Sequence, residues 1–367
     1  MIISRTPFRI SFFGGGTDYP GWYKLRGGSV LSTTIDKYCY LTCRRLPPFF
    51  EHRVRVVYST IENCRSVDEI KHPVVREVLR FVGIEQGVEI HHDGDLPARS
   101  GMASSSAFTV GLLNSLYALK GEMPDKHRLA MESIHLEQDV LREHVGSQDQ
   151  VAVTYGGLNH IRFEPNGNIH VRPVTLSQAR MQELSSHLML FYTGIKRTAS
   201  DVAATFTDKL DERETQLRAM SQLVDEAIAL LTSDDDILRF GRLLHTAWRT
   251  KCSLSSTIGH PKIQSMYDAA RSAGAIGGKI TGAGGGGFLV LFAPPAHQAA
   301  IREKLKKLLL VPFKFEFSGS QIIFFTPEPD YSGAERDRAE HPIAPFRELT
   351  PSEHPRAPGP PSSAASD

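Results

Sequence analysis

The stretch Leu96–Ala107, LPARSGMASSSA, runs directly into an amphipathic segment, Phe108–Lys120. Small residues (Gly101, Ala103, Ser104, Ser105, Ser106 and Ala107) leave backbone N–H groups uncovered where a helix begins. A helix N-terminus offers unpaired donors and a partial positive charge, so such a loop suits a phosphate chain. The helix is predicted from Phe108, Leu112, Leu116 and Leu119, which share one face, and Gly121 supplies a stop. An ordinary serine-capped helix is the competing reading of the same residues.

Two further glycine-rich segments favour the anion site. Near the N-terminus, a short apolar strand, Phe8–Phe13, runs into Gly14-Gly15-Gly16 and the tip Thr17-Asp18-Tyr19-Pro20. Consecutive glycines let a ligand approach the main chain, and Gly16, Thr17 and Asp18 are candidates for gripping hydroxyl groups; a plain turn closed by Asp18 is the alternative. The other segment is Gly277–Phe292, GGKITGAGGGGFLVLF. Its formal dinucleotide fingerprint, Gly282-x-Gly284-x-x-Gly287, lacks the helix that should follow it, because Phe288–Phe292 reads as a strand. Lys279 is followed by Ile280, so no Walker loop is present either. Gly282, Gly284 and Gly285 instead fit a strand-to-strand loop that lets substrate or triphosphate approach.

In order and spacing, the three segments resemble the three motifs of the GHMP kinase family. Leu96–Ala107 is similar to its nucleotide loop, with Ala103 standing where that loop usually has its second glycine. Within the family, GGGTDYP and Tyr192–Val202 (YTGIKRTASDV) are most similar to the heptose 7-phosphate kinase branch. The resemblance implies an α+β architecture, with an S5-like N-terminal domain and a ferredoxin-like C-terminal domain enclosing ATP. It also implies ATP binding by Pro97, Ser100, Gly101, Met102, Ala103, Ser104, Ser105 and Ser106, and Mg²⁺ on the phosphates.

Phosphoryl transfer needs a metal ion, donors around the phosphates and an oriented acceptor hydroxyl. Asp125–Glu143 reads as a helix whose apolar stripe, Ala130, Ile134 and Leu141, also carries Glu137. An inward carboxylate is costly unless paired or bound to a cation. Glu137 is therefore a candidate Mg²⁺ ligand with Ser105, the alternative being an ion pair to a residue such as Arg142. Asp149 stands in a polar loop, Val145–Gln150, ahead of an apolar strand expected at Val151–Tyr155. The resemblance makes Asp149 the catalytic base, or the group that orients the sugar hydroxyl, and places Arg9 beside it, holding it ionised and stabilising transition-state charge. A capping role at a turn is the alternative for Asp149.

The 367 residues exceed what one core usually serves, so two domains are expected: 1–173 and 174–326, with a disordered tail at 327–367 rich in Pro, Ser and Ala. Net charge +1, with 41% hydrophobic and 23% charged residues, offers no basic excess for nucleic acid. Cys39, Cys43, Cys64 and Cys252 are too scattered for a disulfide framework or zinc site. No signal peptide or bilayer-length apolar run is evident, so a cytoplasmic location and no membrane partner are expected. A homodimer is compatible with the resemblance. Lys196 and Arg197, and more weakly Lys251, are candidates for gripping an acceptor's existing phosphate. The expected reaction is transfer of the γ-phosphate of ATP to the anomeric hydroxyl of D-glycero-D-manno-heptose 7-phosphate. Alternatives are an unphosphorylated sugar acceptor, such as L-fucose or galactose, or an inactive sugar or nucleotide sensor on the same scaffold.

Overall fold

In a computed structural model, residues 1–367 are described apart from 86, 99, 196–210, 256–257, 330 and 341–367. The first half contains β1 (Ile2–Phe13), α1 (Pro20–Arg26), β2 (Gly28–Arg45), β3 (Val54–Val57), β4 (Ile61–Cys64), α2 (Pro73–Val82) and β5 (Val88–Gly94). It continues with α3 (Ser104–Leu119), α4 (Lys126–His135), α5 (Gln148–Tyr155), β6 (Asn159–Phe163) and β7 (Ile169–Pro173). The second half contains α6 (Gln178–Ser186), β8 (Leu188–Tyr192), α7 (Glu214–Leu231), α8 (Leu238–Cys252) and α9 (Pro261–Ser272). After these come β9 (Gly277–Ile280), β10 (Phe288–Phe292), α10 (Pro295–Lys304), β11 (Leu309–Leu310), β12 (Phe315–Glu316), β13 (Gln321–Phe325) and α11 (Ser332–Glu340).

Two sheets organise these elements. A nine-stranded sheet has the central order β13-β1-β2-β5-β3-β4, with β6, β7 and β12 joined through β2. A four-stranded sheet has the order β11-β8-β10-β9. This is the expected α+β class. The long β2 serves two neighbours on one edge: its start pairs with β6 and its end with β5. Helix α3 lies against β1 and β2, and Ala107, Val110, Leu112, Leu113 and Leu116 are completely buried there. Its apolar residues extend beyond one stripe because α2, α4 and α5 cover its other sides. Phe240 of α8 meets Phe12 and Phe13 edge-on, with centroids 5.5 and 5.2 Å apart, and so ties the second half to the end of β1.

Several expected elements differ. Gln148–Tyr155 is a helix and not a loop followed by a strand, although Val151, Val153 and Thr154 carry strand propensity. Tertiary burial overrides that propensity: 151–154 are buried in contact with α3, α4 and β1. The helix expected to reach Glu143 ends its α-helical part at His135 and continues as a wider turn over Leu136–Val140. Asp125 caps α4, its carboxylate accepting from the Arg128 N–H at 2.7 Å. The boundary at 173 does not partition the sheets cleanly: β12 pairs with β2, and β13 pairs with the free edge of β1. Of the tail expected to be disordered, Ser332–Glu340 is helical, while 341–367 lies outside the described residues.

Gly287 holds the two halves in close backbone contact. It sits at φ +89°, and a Cβ there would lie 1.9 Å from the Ser100 carbonyl oxygen. Gly287→Ala should therefore lower the thermal midpoint by several degrees, because strain and a backbone clash combine. An unchanged midpoint in a melting experiment would contradict this packing.

Candidate active site

The N-terminal strand supplies the site's central cation. Arg9 points from β1 into the protein and is only 2% exposed. Its Nε and Nη2 donate to the two carboxylate oxygens of Asp149 at 2.8 and 2.7 Å, and Nη1 donates to the Gly101 carbonyl at 2.8 Å. The Arg9 backbone N–H also donates to the Met102 carbonyl, at 3.2 Å. A bidentate, charge-assisted pair of this kind fixes direction as well as distance. It seats Asp149, in the first turn of α5, against the loop before α3.

These groups face a cavity of about 1060 Å³ that gathers all three glycine-rich segments. Its lining includes Arg9, Gly16, Asp18, Gly101, Ala103, Ser104, Ser105, Ser106, Asp149, Gly282, Gly284 and Gly285. A Cβ on Gly282 would lie 2.7 Å from the Gly101 Cα, so the two loops touch backbone to backbone. Ala103 occupies the left-handed N-cap of α3, at φ +63°, without capping the helix through a side chain. Ala103 borders the cavity while holding a left-handed conformation that glycine adopts more readily.

Other candidates have different places. Pro97, Ser100 and Met102 are not in the lining; Ser100 and Met102 are buried behind it. Thr17 is buried too, its hydroxyl donating to the Gly14 and Ser29 carbonyls at 2.9 and 3.0 Å. It locks its own loop and does not line the cavity. Asp18 braces its loop and also borders the cavity: Oδ1 accepts from the Gly16 N–H at 2.8 Å and Oδ2 from the Gln148 N–H at 3.3 Å. Burial raises its pKa, and the Asp149 charge adds to that, against its backbone donors. Lys196 and Arg197 lie outside the described residues.

Glu137 is completely buried within the wide turn after α4, not on the cavity surface. Its hydroxyl partner is Ser106, at 3.0 Å, and Gln150 donates to the same carboxylate oxygen. Ser105 does not fill that position; it is exposed and lines the cavity. Neighbouring helix positions differ in direction by about 100°, which separates the two hydroxyls. The alternative ion pair with Arg142 is not among Glu137's bonds in the described residues. Burial, followed by the Glu143 charge, pushes Glu137 up to about 7, against the nearby Thr109 hydroxyl and hydrogen bonds from Gln150 and Ser106. Its other oxygen, Oε1, has no partner among the described residues.

One end of the cavity has an aromatic wall that no sequence motif signals. Phe108 lies between His72 and His92, each 5.0 Å away by ring centroid, and Tyr58 meets His72 edge-on at 5.0 Å. Glu62 braces the wall by accepting from the Tyr58 hydroxyl at 2.8 Å and the His72 backbone N–H at 3.2 Å. Burial lowers the pKa of both histidines. These residues come from separate segments and meet only through the fold. Glu143, His144, Gln148 and Lys251 also join the lining.

The GHMP kinase N-terminal domain model matches residues 69–157, and the GHMP kinase C-terminal model matches residues 214–309. The chain is 28% identical to a D-glycero-alpha-D-manno-heptose 7-phosphate kinase from Campylobacter jejuni, across 83% of this chain and 93% of that protein. It is 22% identical to a galactokinase from Pyrococcus furiosus, across 86% and 95%. It is also 25% identical to the L-fucokinase/L-fucose-1-P guanylyltransferase of Bacteroides fragilis, covering 84% of this chain but only 36% of that longer protein. Among solved structures, a D-glycero-D-manno-heptose 1-phosphate kinase from Bacteroides thetaiotaomicron matches with a TM-score of 0.73 at 21% identity, covering 89% of this chain and 100% of the other. Two matched domain models in the expected order, around a cavity lined by the Ser104–Ser106 helix start and Asp149, make this chain a member of the GHMP kinase family.

Proposed function

We propose that this chain transfers the γ-phosphoryl group of ATP to the anomeric hydroxyl of D-glycero-D-manno-heptose 7-phosphate. The observation that carries the reaction is the Arg9–Asp149 pair facing the same cavity as the N-terminus of α3. The heptose assignment rests on the similarity to the Campylobacter protein, which spans most of both chains.

The aromatic wall suits the flat face of adenine, and the Ser104–Ser106 turn supplies backbone donors and the helix's positive end for the phosphates. Asp149 accepts the acceptor hydroxyl's proton as its oxygen attacks the γ-phosphorus. The new O–P bond forms while the bridging P–O bond breaks, and ADP leaves with that electron pair. Arg9 keeps the carboxylate aimed and adds positive charge beside the reacting centre. Asp18 fixes the loop before Asp149 and borders the acceptor's side of the cavity.

The residues also fit a magnesium ion. A buried carboxylate oxygen without a partner, at a site where burial disfavours its charge, is the chemistry a hard cation relieves. Glu137, with the Ser106 hydroxyl that it meets and that borders the cavity, would hold Mg²⁺, which supplies charge neutralisation on the phosphates.

Wild-type protein should release ADP fastest with heptose 7-phosphate in a coupled assay across that sugar, L-fucose, galactose and mannose. Fastest turnover with an unphosphorylated sugar would replace the acceptor, and no turnover with any would favour the sensor. Glu137 also gives a stability prediction. Its raised pKa means the folded protein holds the proton more tightly, so its contribution is lost as pH rises from about 4.5 through about 7. Metal-free Glu137→Gln should therefore gain thermal stability over wild type above pH 7 and little below pH 5. Parallel pH–stability curves would contradict the buried-carboxylate description.

A further inference from the structure

We propose that Lys251 is a catalytic residue that shares the transferring phosphoryl group with Arg9, at the seam between the nucleotide loop and the second glycine loop. This rests on the kinase reading above and adds a second cation to it, drawn from the other half of the chain.

Lys251 lies in the last turn of α8, is 5% exposed and borders the cavity. Its ammonium donates to the Gly282 carbonyl, the one hydrogen bond it makes among the described residues. An ammonium has three donors. Among the described residues no carboxylate lies within ion-pair distance of it, although Asp18 and Asp149 bear on its charge. A buried cation without a paired anion costs several kcal/mol. Burial, and then the charge of Arg9, push it down to about 8. An entering phosphate would stabilise the charged form.

Its position indicates which phosphate. Lys251 is anchored on Gly282, Gly282 abuts Gly101, and Arg9 donates to the Gly101 carbonyl. The two cations thus stand on opposite sides of one loop-to-loop backbone contact, Arg9 bonded to Asp149 and Lys251 within reach of its charge. The Lys251 ammonium lies 4.0 Å from where a Gly15 side chain would begin, and its Cε lies 3.5 Å from the corresponding point on Gly284. Both glycines keep the approach to it open. The other cation buried nearby, Lys279, donates to the Phe12 carbonyl at 3.0 Å and does not line the cavity. A heptose carries its existing phosphate at the far end from its anomeric hydroxyl. A cation beside the base that activates that hydroxyl therefore meets the incoming γ-phosphoryl group, and not the acceptor's own phosphate as the sequence suggested.

The test compares Mg²⁺-loaded ADP with a non-hydrolysable ATP analogue by calorimetry on the full chain. Lys251→Met should lose about tenfold or more in affinity for the triphosphate, keep ADP affinity within about twofold, and lower kcat by about 10²–10³-fold. It should melt no lower than wild type, because a flexible apolar side chain replaces a buried charge. Lys251→Arg should recover part of the triphosphate preference. A Lys251→Met protein with unchanged triphosphate preference and near-parental kcat overturns the assignment, as does equal loss of both nucleotides with a lowered melting point. Wild type that phosphorylates no acceptor would instead defeat the functional reading, while the ADP-to-triphosphate comparison would still decide the role of Lys251.

Discussion

The site depends on one guanidinium. Arg9 is buried in the first strand, and its side-chain donors are divided between the Asp149 carboxylate and the Gly101 carbonyl. A buried cation tolerates few arrangements, because losing either partner leaves charge or donors unsatisfied in a low-dielectric setting. That constraint joins three distant stretches of chain: β1, the loop before α3 and the start of α5. Asp18 adds a second brace to the start of α5, since its carbonyl accepts from the Ser147 N–H at 2.9 Å and its carboxylate takes the Gln148 N–H. A Cβ on Gly146 would sit 1.9 Å from an Asp18 carboxylate oxygen, so that brace needs glycine there.

Several of the buried polar atoms without partners belong to the segments that this assembly joins or to their neighbours. Ser11 Oγ, Ser100 Oγ, Glu137 Oε1, Gln148 Oε1 and Gln150 Oε1 are all buried without a hydrogen bond among the described residues. Gln148 lines the cavity, and native interiors leave few such atoms, so its oxygen is a point where a ligand can complete the network. The opposite end is apolar and aromatic, matching a ligand with a flat ring at one end and concentrated negative charge at the other.

Much of this was legible in the sequence, for identifiable reasons. The α3 helix and the strand after the second glycine loop follow from periodicity and β-branched or aromatic runs. Three glycine segments mark where backbone must approach backbone or phosphate, and Arg9, Asp18, Gly101, Ser104, Gly282 and Asp149 do converge. Other features depended on burial that no local pattern encodes. Val151–Tyr155 has the residues of a strand, yet it packs as a helix among α3, α4 and β1. The Glu137 partner is Ser106 rather than Ser105 because the helix start and the wide turn after α4 set a relative rotation that spacing alone leaves free. The Gln321–Phe325 strand returns to β1, a pairing across most of the chain length. The His72–Phe108–His92 wall likewise exists only after α2, β5 and α3 have packed.

A double-mutant cycle on turnover tests most directly whether Arg9 and Asp149 act as one unit. Arg9→Met, Asp149→Asn and the combined variant would be compared with wild type under saturating ATP and acceptor. If Arg9 acts by aiming and charging against Asp149, the combined variant should be no more than about threefold worse than the poorer single one, as is usual for residues that work together. Losses that multiply across the two substitutions would show independent roles and contradict the clamp as the organising interaction of the site.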